Sequence, residues 1–114
     1  MIGRTAVQGL MKVELLYFDG CPNYESVVPR VRELLGQAGV SADVELRRIE
    51  SDEDARRLRF LGSPTVRVDG RDVEPGADER AGYALQCRLY RTAAGVAGAP
   101  PDDWIIAALR EHQP

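Results

Sequence analysis

The chain has 114 residues, of which 44% are hydrophobic and 29% charged, and a formal net charge of −3. This length suits a single domain with its own core, and the composition is typical of a soluble globular protein. No apolar run approaches the roughly 20 residues of a membrane span, and interleaved acidic and basic residues disfavour a nucleic-acid surface. The two cysteines exclude a disulfide framework and a four-ligand zinc site within one chain.

The first eleven residues have the composition of a loose N-terminal extension, and residues 12–114 are expected to form one domain. Residues 1–10 carry one arginine but no continuous apolar stretch of signal-peptide length, so a cytoplasmic protein is expected. Met11 is an alternative start of the chain. The folded part is therefore expected to begin at Lys12.

The first predicted strand is the run Val13 to Phe18, whose β-branched and aromatic residues are typical of a buried strand. Cys21 and Pro22 follow a turn, and proline suits the first position of a helix. From Pro22 to Ala38 apolar residues recur at helical spacing, which predicts an amphipathic helix that Pro29 should bend. Cys21 is thus expected at the helix N-terminus, where unpaired N–H groups and the helix dipole favour a thiolate.

The next predicted strand, Asp43 to Ile49, alternates apolar and charged residues, as a half-buried strand does. Because a helix separates it from the first strand, the two should run parallel through a right-handed crossover. A second helix should follow, capped by Ser51 and ending near Gly62. The first half of the chain therefore predicts a strand–helix–strand–helix unit.

The second half begins with Pro64, which should open a short strand, and Asp69-Gly70 should turn that strand into an antiparallel hairpin. The run Leu85 to Arg91, which contains Cys87, favours a further strand. The small residues from Ala93 to Pro100 favour a loop.

A last helix should be capped by Asp102 or Asp103 and cover one face of the sheet. Lone His112 is expected at its surface end. Together the elements predict an α/β fold with a central mixed sheet of about four strands flanked by helices.

This order of elements resembles the thioredoxin fold, and three local features strengthen the resemblance. Cys21 precedes the first helix, Pro29 follows it by eight residues as the helix-kinking proline of thioredoxins does, and Ser63-Pro64-Thr65 is similar to their cis-proline segment. The match runs from about Lys12 to Val73 and resumes at the final helix. It implies a reactive Cys21 and a cis bond before Pro64. It also implies substrate contacts from Pro22, Tyr24, Ser63, Pro64 and Thr65.

The sequence departs from thioredoxins at their second cysteine, which lies three residues after the first and is replaced here by Tyr24. The remaining Cys-Pro-Asn-Tyr segment resembles a monothiol site, closer to the Cys-Pro opening of glutaredoxins. Small thioredoxin-like proteins of this kind are in some cases labelled alkylmercury lyase-like. Tyr24 could pack over the thiol or over the first turn of the helix.

Three hypotheses follow. In the first, Cys21 carries out thiol–disulfide or related redox chemistry on a thiol or disulfide substrate, with Cys87 as the resolving thiol and no cofactor. In the second, Cys21 and Cys87 bind a soft metal ion or an organomercurial, and Asp19 supplies or receives the proton. In the third, the chain is a non-catalytic binding module in which Cys21 only fills the strand–helix junction.

Three arginines are candidates for binding an anionic ligand such as the carboxylates of glutathione: Arg67, Arg71 and Arg88. The alternative is that they are solvated strand residues, which is the usual role of exposed arginines. Whether Cys87 reaches Cys21 or is an inert strand cysteine stays open from the sequence.

Overall fold

A computed structural model describes residues 11–111 of the chain. The strands are β1 (Val13–Tyr17), β2 (Val44–Arg48), β3 (Thr65–Val68), β4 (Arg71–Asp72), β5 (Tyr90–Thr92) and β6 (Gly95–Ala97), and the helices are α1 (Tyr24–Gln37), α2 (Asp52–Arg57) and α3 (Asp102–Glu111). A 3₁₀ turn spans Ala77–Glu79. β1 to β4 form one mixed sheet in the order β2-β1-β3-β4, and β5 and β6 form a separate hairpin.

This arrangement confirms the predicted α/β fold with a four-stranded mixed sheet flanked by helices. β1 pairs in parallel with β2, as expected for two strands joined through a helix, and antiparallel with β3. Asp69 and Gly70 make the tight turn from β3 to β4 with φ values of 51° and 84°. Both values lie in the left-handed region, as a two-residue hairpin turn of type I′ requires.

β1 is the central strand, and it is buried on both faces of the sheet. Val13 and Leu15 pack in the larger core cluster, to which α1 and α3 contribute. Leu16 points to the opposite face, where it packs with Ile49 and Phe60 in a smaller cluster. Because alternate residues of a strand face opposite ways, one apolar run supplies both cores.

The start of α1 differs from the prediction for a local reason, whereas the start of α2 agrees with it. α1 begins at Tyr24, two residues after Pro22, because the N–H of Glu25 donates to the Pro22 carbonyl over 3.1 Å and closes a turn before the helix. α2 is capped by Ser51, as predicted, since its hydroxyl accepts the N–H of Asp54 at 3.0 Å. The bend at Pro29 stays a prediction.

α2 ends at Arg57, several residues before the predicted end near Gly62. Arg59 adopts a left-handed φ of 58°, and the N–H of Phe60 donates back to the carbonyl of Ala55 over 2.8 Å. With the N–H of Arg59, which donates to the carbonyl of Arg56 over 3.3 Å, this bond forms a Schellman motif that satisfies two of the last carbonyls of the helix. The early end places Phe60 in the core cluster with Ala55.

The segment between the main sheet and α3 differs most from the predictions. The expected strand Leu85–Arg91 is reduced to its end, where β5 begins at Tyr90, and the expected loop Ala93–Pro100 contains β6. Thr92 and Gly95 close this hairpin, since the Thr92 hydroxyl donates to the Gly95 carbonyl over 2.7 Å. The small residues that suggested a loop therefore form a tight hairpin.

The ends of the described region bear on the remaining predictions. Met11, the last residue of the predicted extension, packs on the core, while residues 1–10 and His112 lie outside the described residues. α3 begins at Asp102, so that Asp102 and Asp103 lie within its first turn instead of preceding it. Within residues 11–111 no helix has the length and apolar character to cross a membrane.

Register partners on the interior strand β1 and the edge strand β2 test whether burial decides the contribution of a leucine to stability. Leu15 and Leu46 pair across the two strands, but Leu15 is 0% exposed and Leu46 is 50% exposed. We expect Leu15→Ala to lower the free energy of unfolding by about 3 kcal/mol through lost burial and a residual cavity. Leu46→Ala should change it by less than about 0.5 kcal/mol. Urea denaturation measures both, and similar losses would contradict the assignment of the core.

Candidate thiol site

Cys21 lies in the turn that joins β1 to α1. Its N–H donates to the carbonyl of Phe18 over 3.2 Å, and its side chain is 0% exposed. The turn through Pro22 and Asn23 separates it from the first helical residue, Tyr24. The thiol therefore lies between the end of β1 and the start of α1, and it is buried.

The backbone of Ser63 lies against this thiol. Cys21 Sγ donates to the Ser63 carbonyl oxygen at 3.5 Å, and the Ser63–Pro64 peptide bond is cis. Ser63, Pro64 and Thr65 are all buried. Thr65 opens β3, and its hydroxyl donates to the carbonyl of Gly62 at 2.6 Å. The segment to which the resemblance assigned substrate contacts is thus buried against Cys21.

Cys87 reaches the same backbone from the other side. Ser63 and Cys87 form an isolated parallel bridge, in which the N–H of Ser63 donates to the Gln86 carbonyl at 2.8 Å and the N–H of Arg88 donates to the Ser63 carbonyl at 2.9 Å. Gly62 permits this approach, because a Cβ there would lie 2.9 Å from that of Arg88. One carbonyl, that of Ser63, therefore accepts hydrogen bonds from both cysteine-bearing segments.

The two thiols interact but differ in exposure. A side-chain hydrogen bond with Cys21 is the main cause that raises the pKa of Cys87, followed by burial and by the charge of Cys21. Cys87 is exposed, whereas Cys21 is buried, and both are free thiols. The predicted strand around Cys87 is absent. An isolated bridge to Ser63 takes the place of strand pairing at this residue.

Arg88 anchors the Cys87 segment from inside the protein. Its side chain is 0% exposed, and its guanidinium makes two hydrogen bonds with Asp72, at 2.7 and 3.1 Å, one with Glu74 at 2.7 Å and one with Thr65 at 2.8 Å. Burial alone would lower the pKa of Arg88, but Tyr90 and the two carboxylates outweigh it and raise that pKa. A buried cation with these partners fixes the position of its neighbour Cys87.

Tyr90 completes this anchor. Its ring lies under the Arg88 guanidinium, 4.4 Å from ring centroid to Cζ, and its hydroxyl donates to the Pro64 carbonyl at 2.5 Å. Burial raises the pKa of Tyr90 well above its ordinary value. The ring also meets Trp104 of α3 edge-on at 6.1 Å. The cysteine segment is therefore tied to both the cis-peptide segment and the last helix.

Sequence reasoning offered Arg88 only as a candidate for binding an anionic ligand, whereas it is buried and paired with Asp72 and Glu74. It did not single out Tyr90. Arg88 and Tyr90 are buried while Cys87 and Leu89 are exposed, which is the two-residue alternation of an extended chain. That alternation could have indicated the inward arginine. Arg67 is also occupied, because it donates to the carbonyls of Leu58 and Arg59. Arg67 and Arg88 are therefore not solvated strand residues, whereas Arg71 is exposed.

The remaining predicted site residues lie around the turn rather than between the thiols. Asp19 accepts a hydrogen bond from Arg48 Nη1 at 3.0 Å on the surface. Pro22 is exposed. The ring of Tyr24 stacks on Tyr17 at a centroid distance of 4.1 Å, so Tyr24 packs over the end of β1.

Two polar atoms of the site are buried and form no hydrogen bond within the described part of the chain: Ser63 Oγ and Arg88 Nε. Such groups carry a desolvation cost, and both adjoin the cysteines in sequence or space. Residues 11–111 contain no cluster of three or more histidine, cysteine or acidic side chains that could hold a metal ion. The site thus offers two sulfur atoms as its reactive groups.

Replacing Arg88 tests whether the anchor is structural. Arg88→Ala should lower the free energy of unfolding by about 3 kcal/mol, because Asp72 and Glu74 would keep partly buried charges without their partner. Arg91→Ala, at an exposed position of β5, should cost less than about 0.5 kcal/mol. Chemical denaturation compares the two. Equal stabilities would mean that the Arg88 network is dispensable.

The raised pKa of Cys87 predicts a pH dependence of its alkylation. A raised thiol pKa keeps the neutral form to higher pH, so carboxamidomethylation of Cys87 should have its midpoint above that of a free cysteine, about 8.5. Cys21→Ala removes the main cause and should lower the midpoint. Peptide mass spectrometry of samples alkylated across a pH series gives both values, and an unchanged midpoint in the variant would contradict the contact.

Comparison of the chain with protein-family models, with curated proteins and with solved structures gives no match. Family membership is therefore not shown by similarity to any known protein. The contacts among Cys21, Ser63, Cys87 and Arg88 are the basis on which a function can be proposed.

Proposed function

We propose that the chain is a thioredoxin-like thiol protein in which Cys21 and Cys87 cycle between a dithiol and a disulfide. The observation that carries this proposal is that Ser63 holds both cysteine segments, through its carbonyl contact with Cys21 Sγ and its bridge with Cys87. Neighbouring thiols, one of them accessible to solvent, are what thiol–disulfide exchange requires. The reaction would use no cofactor.

The thioredoxin-like part of the proposal has its own support. The sheet order β2-β1-β3-β4, with β1 parallel to β2 and antiparallel to β3, is that expected for the fold. Cys21 comes between the central strand and the first helix, and the cis peptide before Pro64 lies beside it. Cys87 then supplies the second sulfur at a site where Tyr24 replaces the usual one.

The exchange would transfer two electrons between this pair and an external thiol or disulfide. Reduction of a disulfide substrate would leave a Cys21–Cys87 disulfide and two substrate thiols, and the reverse reaction would oxidise a dithiol. In the cytoplasm, which we propose as its compartment, the glutathione pool would hold the resting protein as the dithiol. The substrate is therefore a thiol or disulfide, either of a protein or of low molecular weight.

Soft-metal binding is a second candidate, favoured by the same pair of sulfur atoms. Thiolates select soft ions such as copper(I) or mercury(II), and the two free cysteines would supply a sulfur-only donor pair. Asp19 is held by Arg48 at the surface. The candidate is therefore binding by Cys21 and Cys87, without a proton transfer through Asp19.

Oxidation of the full chain tests the proposed function. Mild treatment with oxidised glutathione should yield an intramolecular Cys21–Cys87 disulfide, seen as a loss of two hydrogens in the intact mass and as one cross-linked peptide. Cys21→Ala and Cys87→Ala should each abolish this species while keeping native circular dichroism. A wild-type protein in which the two cysteines never pair would overturn the redox proposal.

The same variants separate the second candidate from the first. Metal binding would be favoured if the wild-type chain retained mercury(II) one-to-one but formed no intramolecular disulfide. Either substitution should then abolish the retention. Disulfide formation with ready reversal by a thiol supports the redox proposal. Both outcomes use the same protein samples.

A further inference from the structure

The two cysteines differ in a way that orders the steps of the exchange. Resting on the function proposed above, we infer that Cys87 is the sulfur that forms the mixed disulfide with the substrate and that Cys21 is the resolving thiol. This reverses the roles expected from the sequence, in which the cysteine before the first helix attacks. The reversal follows from access, hydrogen bonding and the position of the surrounding segments.

Access is the first reason. A mixed disulfide needs an in-line approach of one sulfur to another, and Cys21 is 0% exposed beneath the Ser63 carbonyl. Cys87 is exposed and lies on the outward side of its segment, next to the exposed side chain of Leu89. A substrate sulfur can therefore meet Cys87 without any movement of the backbone, whereas Cys21 requires a local opening.

The cleft beside the turn after β1 is not lined by Cys21. The open cleft beside the turn after β1 has a volume of about 250 Å³ and is lined by Phe18, Asp19, Arg48 and Leu85, among others, but by neither cysteine. Cys21 faces the Ser63 carbonyl. The surface sulfur of Cys87 is thus the point of entry.

The shared contacts with Ser63 place Cys21 for the second step, since its thiol donates to the Ser63 carbonyl and the Cys87 segment bridges to the same residue. Cys87 Sγ attacks a substrate disulfide RS–SR, which forms the Cys87–S–S–R bond and releases one RS⁻. Cys21 Sγ then attacks Cys87 Sγ, which forms the Cys21–Cys87 bond and releases the second RS⁻. Both cysteine protons end on the two released thiolates, so the substrate gains two electrons and the protein loses two. The reverse direction passes through the same mixed disulfide on Cys87.

Single-cysteine variants separate the two roles. Cys21→Ala retains only Cys87, and Cys87→Ala retains only Cys21; each is reacted with oxidised glutathione, native and in concentrated urea, and the adduct is followed by intact mass. Native Cys21→Ala should gain the adduct nearly as fast as its denatured chain. Native Cys87→Ala should be slower than its denatured chain by about tenfold or more, the protection given by a local opening of about 1.4 kcal/mol.

The denatured samples remove differences in intrinsic reactivity, and Cys21→Ser is the second variant should the alanine disturb the core. Equal native rates, or an adduct on Cys21 and none on Cys87, would overturn the assignment of roles. The proposed function would fail separately if the wild-type protein stopped at the glutathione adduct and never formed the internal disulfide. In that case Cys87 would be reactive without being resolved by Cys21, so the two failures are distinguishable.

Discussion

The hydrogen bonding of the Ser63 backbone is the interaction on which the rest of the site depends. Its carbonyl accepts the Cys21 thiol and the Arg88 N–H, and its own N–H donates to Gln86. These bonds join three segments that are far apart in the chain. A peptide group at a buried position must find partners, and here the partners are the two segments that carry the cysteines. Satisfying one backbone unit therefore brings the two thiols together.

A buried cation supports this arrangement. Burying Arg88 costs desolvation, which Asp72, Glu74 and Thr65 offset through hydrogen bonds of 2.7 to 3.1 Å. Since β4 supplies Asp72 and β3 begins at Thr65, the anchor reaches into the main sheet. The exposed thiol of Cys87 thus lies on a segment that is anchored through the buried Arg88, although no ladder of strand pairs surrounds it. The buried polar network around Arg88 therefore sets the position of the exposed Cys87.

Apolar periodicity and turn chemistry were sufficient to predict the main sheet. β1, α1, β2 and the Asp69-Gly70 hairpin follow from local patterns, and Ser51 caps α2 as its residue type indicates. The segment around Cys87 was not predictable in the same way, because a single bridge and a buried arginine replace strand pairing there. The exposure of the two thiols could not be predicted either: the sequence offered Cys21 as the nucleophile and Cys87 as its resolving partner, and only tertiary contacts bury Cys21. Long-range partners, which no local pattern encodes, decide these points.

The two cysteines that meet at Ser63 come from opposite halves of the chain, and this separation ties redox state to conformational stability. A Cys21–Cys87 bond would close a loop containing α1, β2, α2 and the β3–β4 hairpin, and loop entropy alone would oppose unfolding by about 4 kcal/mol. By thermodynamic linkage, the folded chain favours the oxidised pair by the same free energy relative to the unfolded chain. A mutation that unfolds the reduced chain would therefore make the disulfide easier to reduce, even where the mutated residue lies far from the sulfur atoms.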